Sequence, residues 1–124
     1  MAYYRPPAKY RWHAGFVAWL LHRITGLLLI LYLFLHEWLI STLQSKSSFD
    51  AAMAVVASPL FKLLEIGLWA AVIYHAVNGI RVVFVNFFHA AERSNYNINV
   101  WVFWIIAAIL FVIGAIPMAK GLFY

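Results

Sequence analysis

Among its 124 residues the chain has no cysteine, which excludes disulfide bridges, iron–sulfur ligation and thiol chemistry within it. Charge is scarce, with Asp, Glu, Lys and Arg making up 10% of the sequence. Internal repeats and low-complexity tracts are missing too. The opening segment MAYYRPPAKYRWH is basic and aromatic but lacks an apolar stretch followed by small residues. It is not expected to be a cleavable signal peptide. What the chain does have is apolar side chain: 66% hydrophobic, 19% aromatic, with a mean hydropathy of +0.86. A soluble domain of this length has too much surface to hide so much apolar material. Lipid is therefore the expected solvent, around a single domain covering residues 1–124.

The net charge of +5 raises the question of nucleic acid, but the charges flank the apolar runs and form no binding patch. No nucleic-acid partner is expected. Arg5, Lys9, Arg11 and Arg23 lie on the N-terminal side, and Arg81 and Arg93 lie around the second connection. Lys46, Lys62 and Lys120 fall on the opposite side. The excess of basic residues puts the N-terminus in the cytoplasm and the C-terminus outside.

A transmembrane helix needs roughly 20 apolar residues at about 1.5 Å each. Three spans are expected, at about residues 16–43, 59–88 and 99–117, giving an all-α membrane protein. Transmembrane strands would be much shorter and would alternate apolar with polar residues. Trp12, Trp19 and Trp38 are placed to mark interfaces around the first span, and Pro59 suits the first turn of the second. The connection from Gln44 to Ser58 has Ser48-Phe-Asp, read as the start of a short surface helix. The connection from His89 to Asn97 is polar and reads as a plain loop.

His75 is the most informative residue. It sits within YHAVNGIRVVFVNF, Tyr74 to Phe87, in the middle of the second apolar run. An ionisable side chain there is costly and marks a functional site by default. Imidazole is also a good ligand for haem iron. At about 100° per residue, Ala71, Asn78, Gly79, Val82 and Asn86 share its helix face. The small residues at 71 and 79 leave room for a flat, bulky group, and Asn78 offers a hydrogen bond one turn away. The competing reading is a buried histidine bonded to a neighbouring carbonyl.

The other polar residues each allow two readings. His36 closes the apolar run Leu27 to Leu35 beside Glu37 and Trp38, as an interface marker would. Its helix face, however, also carries His22, Thr25, Leu29 and Tyr32, a polar stripe that suits haem ligation. His22 and Arg23 read as a snorkelling basic pair at the headgroups. Arg81 allows the same reading, or pairing with a haem propionate at the inner face. His13 and His89 are expected at interfaces, and Lys62 with Glu65 as a surface ion pair. The third span, with no charge and no histidine, reads as packing.

HRITG (His22 to Gly26) near the start of the first span, followed by HAVNGIR (His75 to Arg81) in the second, is a specific pairing. It resembles the cytochrome b membrane anchor of succinate dehydrogenase and the related fumarate reductases. Motif order, spacing, span number and length all agree, so the likeness covers nearly the whole chain. LFLHEW (Leu33 to Trp38) and the asparagine before Gly79 look most like anchors of two-anchor, haem-containing bacterial or archaeal complexes.

The resemblance implies that His75 is an axial ligand of haem b, with the second ligand coming from a partner anchor. It implies that Arg23, with His22 beside it, helps form a quinone site next to the iron–sulfur subunit. The chain departs from the familiar pattern at three positions. Trp19 stands where a serine often contacts quinone, Val82 where a histidine often follows GIR, and Asn86 where an aspartate is often found. These changes bear on quinone contact and propionate pairing and leave the ligand untouched.

The expected protein is thus an anchor of a succinate:quinone oxidoreductase, respiratory complex II. That enzyme joins the tricarboxylic acid cycle to electron transport. Succinate is oxidised on a flavoprotein subunit, and electrons pass through an iron–sulfur subunit to membrane quinone. The chain contributes no acid or nucleophile to the succinate chemistry. Its three spans form part of a larger helical bundle with the second anchor, in the cell's inner (cytoplasmic) membrane. Cofactor contacts are expected from His75, His36, Arg81, Asn78 and Gly79, and quinone contacts from Arg23, His22 and Trp19.

Counting from Phe16, His36 lies about 30 Å deep, and counting back from Phe88, His75 lies about 20 Å deep. Two ligands of one haem must lie at nearly one level, so His36 would serve a second haem nearer the outer face. Two rivals are a haem-free structural anchor and a small transporter subunit. The latter would need an inverted repeat or interrupted helices, and the uniformly apolar third span argues against it.

Overall fold

A computed structural model describes residues 13–88 and 96–123. The chain forms α1 (Ala14–Ser41), a 3-10 turn (Thr42–Gln44), α2 (Lys46–Val56), α3 (Pro59–Phe87) and α4 (Tyr96–Phe123). Helices α1, α3 and α4 are each long and apolar enough to cross a membrane. At 28 or 29 residues apiece they reach about 42 Å, more than the roughly 30 Å hydrocarbon core. The protein is an all-α membrane protein.

Local chemistry accounts for several helix ends. His13 caps α1 by accepting a hydrogen bond from Phe16 N at 3.1 Å on its Nδ1, satisfying one of the orphan donors of the first turn. Pro59 opens α3, where its missing N–H removes no helical bond. The third span is expected to end at Pro117, yet α4 runs through it to Phe123. Membrane helices tolerate such a proline because only one backbone bond is lost and neighbours compensate. The short helix in the first connection begins at Lys46, two residues before Ser48, and is stapled by a 2.6 Å Lys46–Asp50 pair.

Lys62 corrects one expectation. Its Nζ donates to Gly121 O at 2.6 Å, tying the start of α3 to the end of α4. Among the described residues the ion pair is Lys46–Asp50, and Lys62–Glu65 is not formed. A helix C-terminus leaves carbonyls without helical partners, and a nearby ammonium satisfies one of them.

Helix α3 is central and packs on both α1 and α4. The contacts are made by small or slender residues, with Ala18, Ala71, Val77, Val100 and Ala107 buried. Close backbone approach replaces the hydrophobic drive that lipid cannot supply. The Trp69 indole covers Gly114 so closely that a Cβ there would collide with it, while its Nε1 donates to Phe111 O at 3.2 Å. Trp104 Nε1 on α4 donates to Tyr74 Oη on α3 at 3.3 Å, and Tyr74 donates in turn to Ala18 O on α1 at 3.0 Å. One hydroxyl thereby links all three long helices. Large apolar residues such as Leu27, Phe34, Leu63, Trp101 and Ile113 point outward, as residues facing lipid or a partner helix should.

Candidate functional site

The HRITG segment of α1 lies directly against His75 of α3. His75 Nδ1 is 3.2 Å from Thr25 Oγ1 and 3.2 Å from His22 O. The rings of His22 and His75 stack, with centroids 4.0 Å apart and planes 8° apart. A glycine on α1 makes the approach close, and a second glycine, on α3, faces the other ring at ordinary contact distance. A Cβ on Gly26 would come within 3.1 Å of His75 Cε1, and one on Gly79 within 3.7 Å of His22 Cε1. The hollow at Gly26 receives His75, whereas Gly79 is in ordinary contact with His22.

One turn along α3, Asn78 is only 2% exposed and Arg81 only 4%. Arg81 Nε donates to Asn78 Oδ1 at 2.9 Å. Arg81 therefore faces inward, and the snorkelling alternative is overturned because its guanidinium is buried against α3's own asparagine. Asn78 Nδ2 and His22 Nδ1 are buried without a hydrogen-bond partner among the described residues. Both groups border a cleft of about 230 Å³, whose lining also includes Trp19, Arg81, Val82 and Asn86. All three positions that depart from the familiar pattern open onto this one cleft. A buried guanidinium beside an unpaired amide N–H is a donor set suited to a carboxylate or carbonyl oxygen.

The remaining candidates are distributed around this centre. Arg23 is exposed and does not line the cleft; its guanidinium lies 4.7 Å from the centroid of the Trp19 ring. That distance is a cation–π contact. Trp19 therefore touches both the cleft and Arg23. His36 is exposed near the far end of α1, where its Nδ1 lies 3.2 Å from Tyr32 Oη. Gly26 of α1 packs on His75, and His36 is ten residues further on, about 15 Å along the helix. The two histidines are brought no closer than the sequence suggests. Trp12, His89, Arg5, Lys9, Arg11 and Arg93 lie outside the described residues.

Two residues at the centre are not marked by the sequence as partners of His75. Thr25 falls on a stripe with His36, and Gly26 stands only inside a motif. A usable signal is present, since a glycine four residues after His22 leaves an opening on α1 beside a hydroxyl.

A compact set of apolar helices with facing histidines and buried donors between two of them defines a small polytopic membrane subunit built around an inter-helix site. The chain belongs to the family described as succinate dehydrogenase/fumarate reductase transmembrane subunit, whose profile matches residues 2–115. It is 38% identical over 91 residues to the succinate dehydrogenase 2 membrane subunit SdhC of Mycobacterium tuberculosis, covering 72% of this chain and 67% of that protein. It is also 38% identical over 88 residues to the succinate dehydrogenase hydrophobic membrane anchor subunit of Halobacterium salinarum, covering 67% of this chain and 68% of that protein.

Proposed function

We propose that the chain is the haem b-binding membrane anchor of a succinate:quinone oxidoreductase and helps to carry electrons from succinate to membrane quinone. The observation that carries this reading is the state of His75. Its Nδ1 is occupied by partners on α1, and its Nε2 takes no hydrogen bond among the described residues. Metal-bound histidines show the same division, one nitrogen held by an oxygen and the other left for the metal.

The neighbouring residues fit the group as well. Asn78 Nδ2 and His22 Nδ1 are buried polar atoms with unused hydrogen-bonding capacity, next to the Arg81 guanidinium. A cleft of about 230 Å³ is too small for a macrocycle but has room for a carboxylate arm. Arg81 and Asn78 would hold such a carboxylate, His75 would bind the iron, and a second anchor would provide the second ligand. A bound haem supplies one-electron transfer between ferric and ferrous iron. The protein's part is to hold the ligand at a fixed angle, neutralise the carboxylate and exclude water with apolar helices.

Arg23, carried on the Trp19 face, would meet a quinone headgroup at the cytoplasmic side, where the iron–sulfur subunit docks. His22 borders the haem residues and the quinone residues alike. Succinate chemistry would remain on the flavoprotein subunit. The basic residues support insertion in the cytoplasmic membrane with the N-terminus inside. An absorption spectrum with haem quantification on the purified complex tests the reading. Wild type should show a low-spin bis-histidine spectrum, and His75→Ala should lose it. Full haem content and an unchanged spectrum in His75→Ala would overturn the assignment.

A further inference from the structure

We infer that Thr25 is the positioning residue for His75: its hydroxyl fixes which imidazole nitrogen holds the proton and how strongly the other nitrogen donates to a metal. The inference rests on the haem reading above and adds a residue on the opposite helix to it. It follows from three distances. Thr25 Oγ1 lies 2.8 Å from Leu21 O, 3.0 Å from His22 O and 3.2 Å from His75 Nδ1. A hydroxyl has one proton, and here it is spent on the backbone carbonyls one turn back, the usual arrangement for threonine within a helix. Toward His75 the oxygen can only accept.

The second partner gives the same answer. His22 O, 3.2 Å from His75 Nδ1, is a carbonyl and can only accept. Both oxygens therefore require the proton on Nδ1, which leaves the lone pair on Nε2. The backbone carbonyl would be present with any residue at position 22, so among the described residues the side-chain contribution to this tautomer comes from Thr25. Thr25 is itself buried, and water cannot readily take the place of its hydroxyl. Gly26 adds the close approach, since its missing side chain lets the imidazole settle against α1 within reach of the hydroxyl.

An oxygen accepting from Nδ1–H makes the imidazole a stronger donor at Nε2. A stronger donor favours ferric over ferrous iron. Removing the hydroxyl should raise the midpoint potential of the haem that His75 ligates. It should also shift its low-spin EPR signal without emptying the site.

The test is a redox titration with EPR on the intact purified complex for wild type, Thr25→Val, Thr25→Ser and His75→Ala. Thr25→Val keeps the shape and removes the hydroxyl; the expected result is retained haem, a raised potential and a shifted EPR signal. Thr25→Ser should return both toward wild type. If Thr25→Val does not assemble, Thr25→Ala removes the same hydroxyl without bulk and should give the same shifts. Unchanged potential and EPR in the hydroxyl-free variant, while His75→Ala loses the spectrum, overturn the role of Thr25 and leave the haem reading standing. A shift in Thr25→Ser as large as in Thr25→Val also overturns it, because shape would then be responsible. Retention of the wild-type spectrum by His75→Ala overturns the haem reading itself, and this inference with it.

Discussion

The imidazoles of His22 and His75 lie face to face, 4.0 Å between centroids and 8° between planes, although they come from two different helices. The stack works with Thr25. The hydroxyl restrains His75 at the Nδ1 edge of its ring, while His22 covers one face. A ring held at an edge and on a face has little freedom to rotate about its Cβ–Cγ bond. Gly26 allows α1 to come close enough to His75 for both restraints to act.

If His75 ligates haem as proposed, removing the face contact should loosen the haem without removing its ligand. Stacked aromatic pairs are worth about 0.5–1.5 kcal/mol beyond their buried area. His22→Ala should release haem at a lower temperature than wild type and broaden the low-spin EPR signal. His22→Phe, which restores a ring, should behave more like wild type on both measures. Equal loss in the two variants would mean that His22 acts through its nitrogens instead of its face.

A second prediction concerns Arg23. Its guanidinium, 4.7 Å from the centroid of the Trp19 ring, is positioned outside the cleft. Arg23→Leu should impair quinone reduction while succinate oxidation by a soluble dye acceptor stays largely intact. Trp19→Leu keeps the charge but removes its platform. A contact worth about 1 kcal/mol corresponds to about a fivefold rise in KM for quinone, with a smaller change in kcat. Parallel loss of quinone and dye activity in either variant would point to failed assembly.

Much of the fold was legible because lipid imposes a simple rule: a crossing helix must be apolar for about 20 residues. Periodicity also puts Ala71 and Asn78 on the face of His75, and both are buried beside it. Periodicity cannot tell where one helix stops touching the next. His22, Thr25, Leu29, Tyr32 and His36 share a stripe on α1, yet Thr25 is buried against α3 while His36 is exposed. Tyr74 is hidden in the sequence for a related reason. It lies one residue from His75 and so about 100° around the helix, facing Ala18 and Trp104. A hydroxyl in mid-membrane needs a partner, and that requirement is the available clue.

The α3–α4 contact offers a prediction independent of any cofactor. At Gly114 a Cβ would run into the Trp69 indole, whereas at Gly67 and Gly121 nothing lies within 4 Å of one. Overpacking a filled contact costs about 1–3 kcal/mol. Gly114→Ala should lower the thermal stability and yield of the complex, and Gly67→Ala should not. Trp69→Leu in the Gly114→Ala background should recover part of the loss. Tolerance of Gly114→Ala as complete as that of Gly67→Ala would rule out this contact as a packing constraint.

The last prediction is a second haem at His36. Gly26 marks the level of His75 on α1, and His36 stands ten residues beyond it, about 15 Å along the helix. That separation is larger than the offset of about 10 Å that counting from the span ends implies. At that separation His36 would hold a haem of its own, apart from the one proposed for His75. His36 is exposed, with Tyr32 Oη 3.2 Å from its Nδ1. Its Nε2 has no hydrogen-bond partner among the described residues, and a ligand shared with a second anchor would need that nitrogen. A haem there, with its own partner histidine, would carry electrons toward the outer face and permit a quinone site on that side. The intact complex should then contain about two haems per flavin, and His36→Ala should lose one of two low-spin signals while the signal that depends on His75 persists. A ratio near one in the wild-type complex, or two unchanged signals in His36→Ala, would remove His36 from the haem ligands.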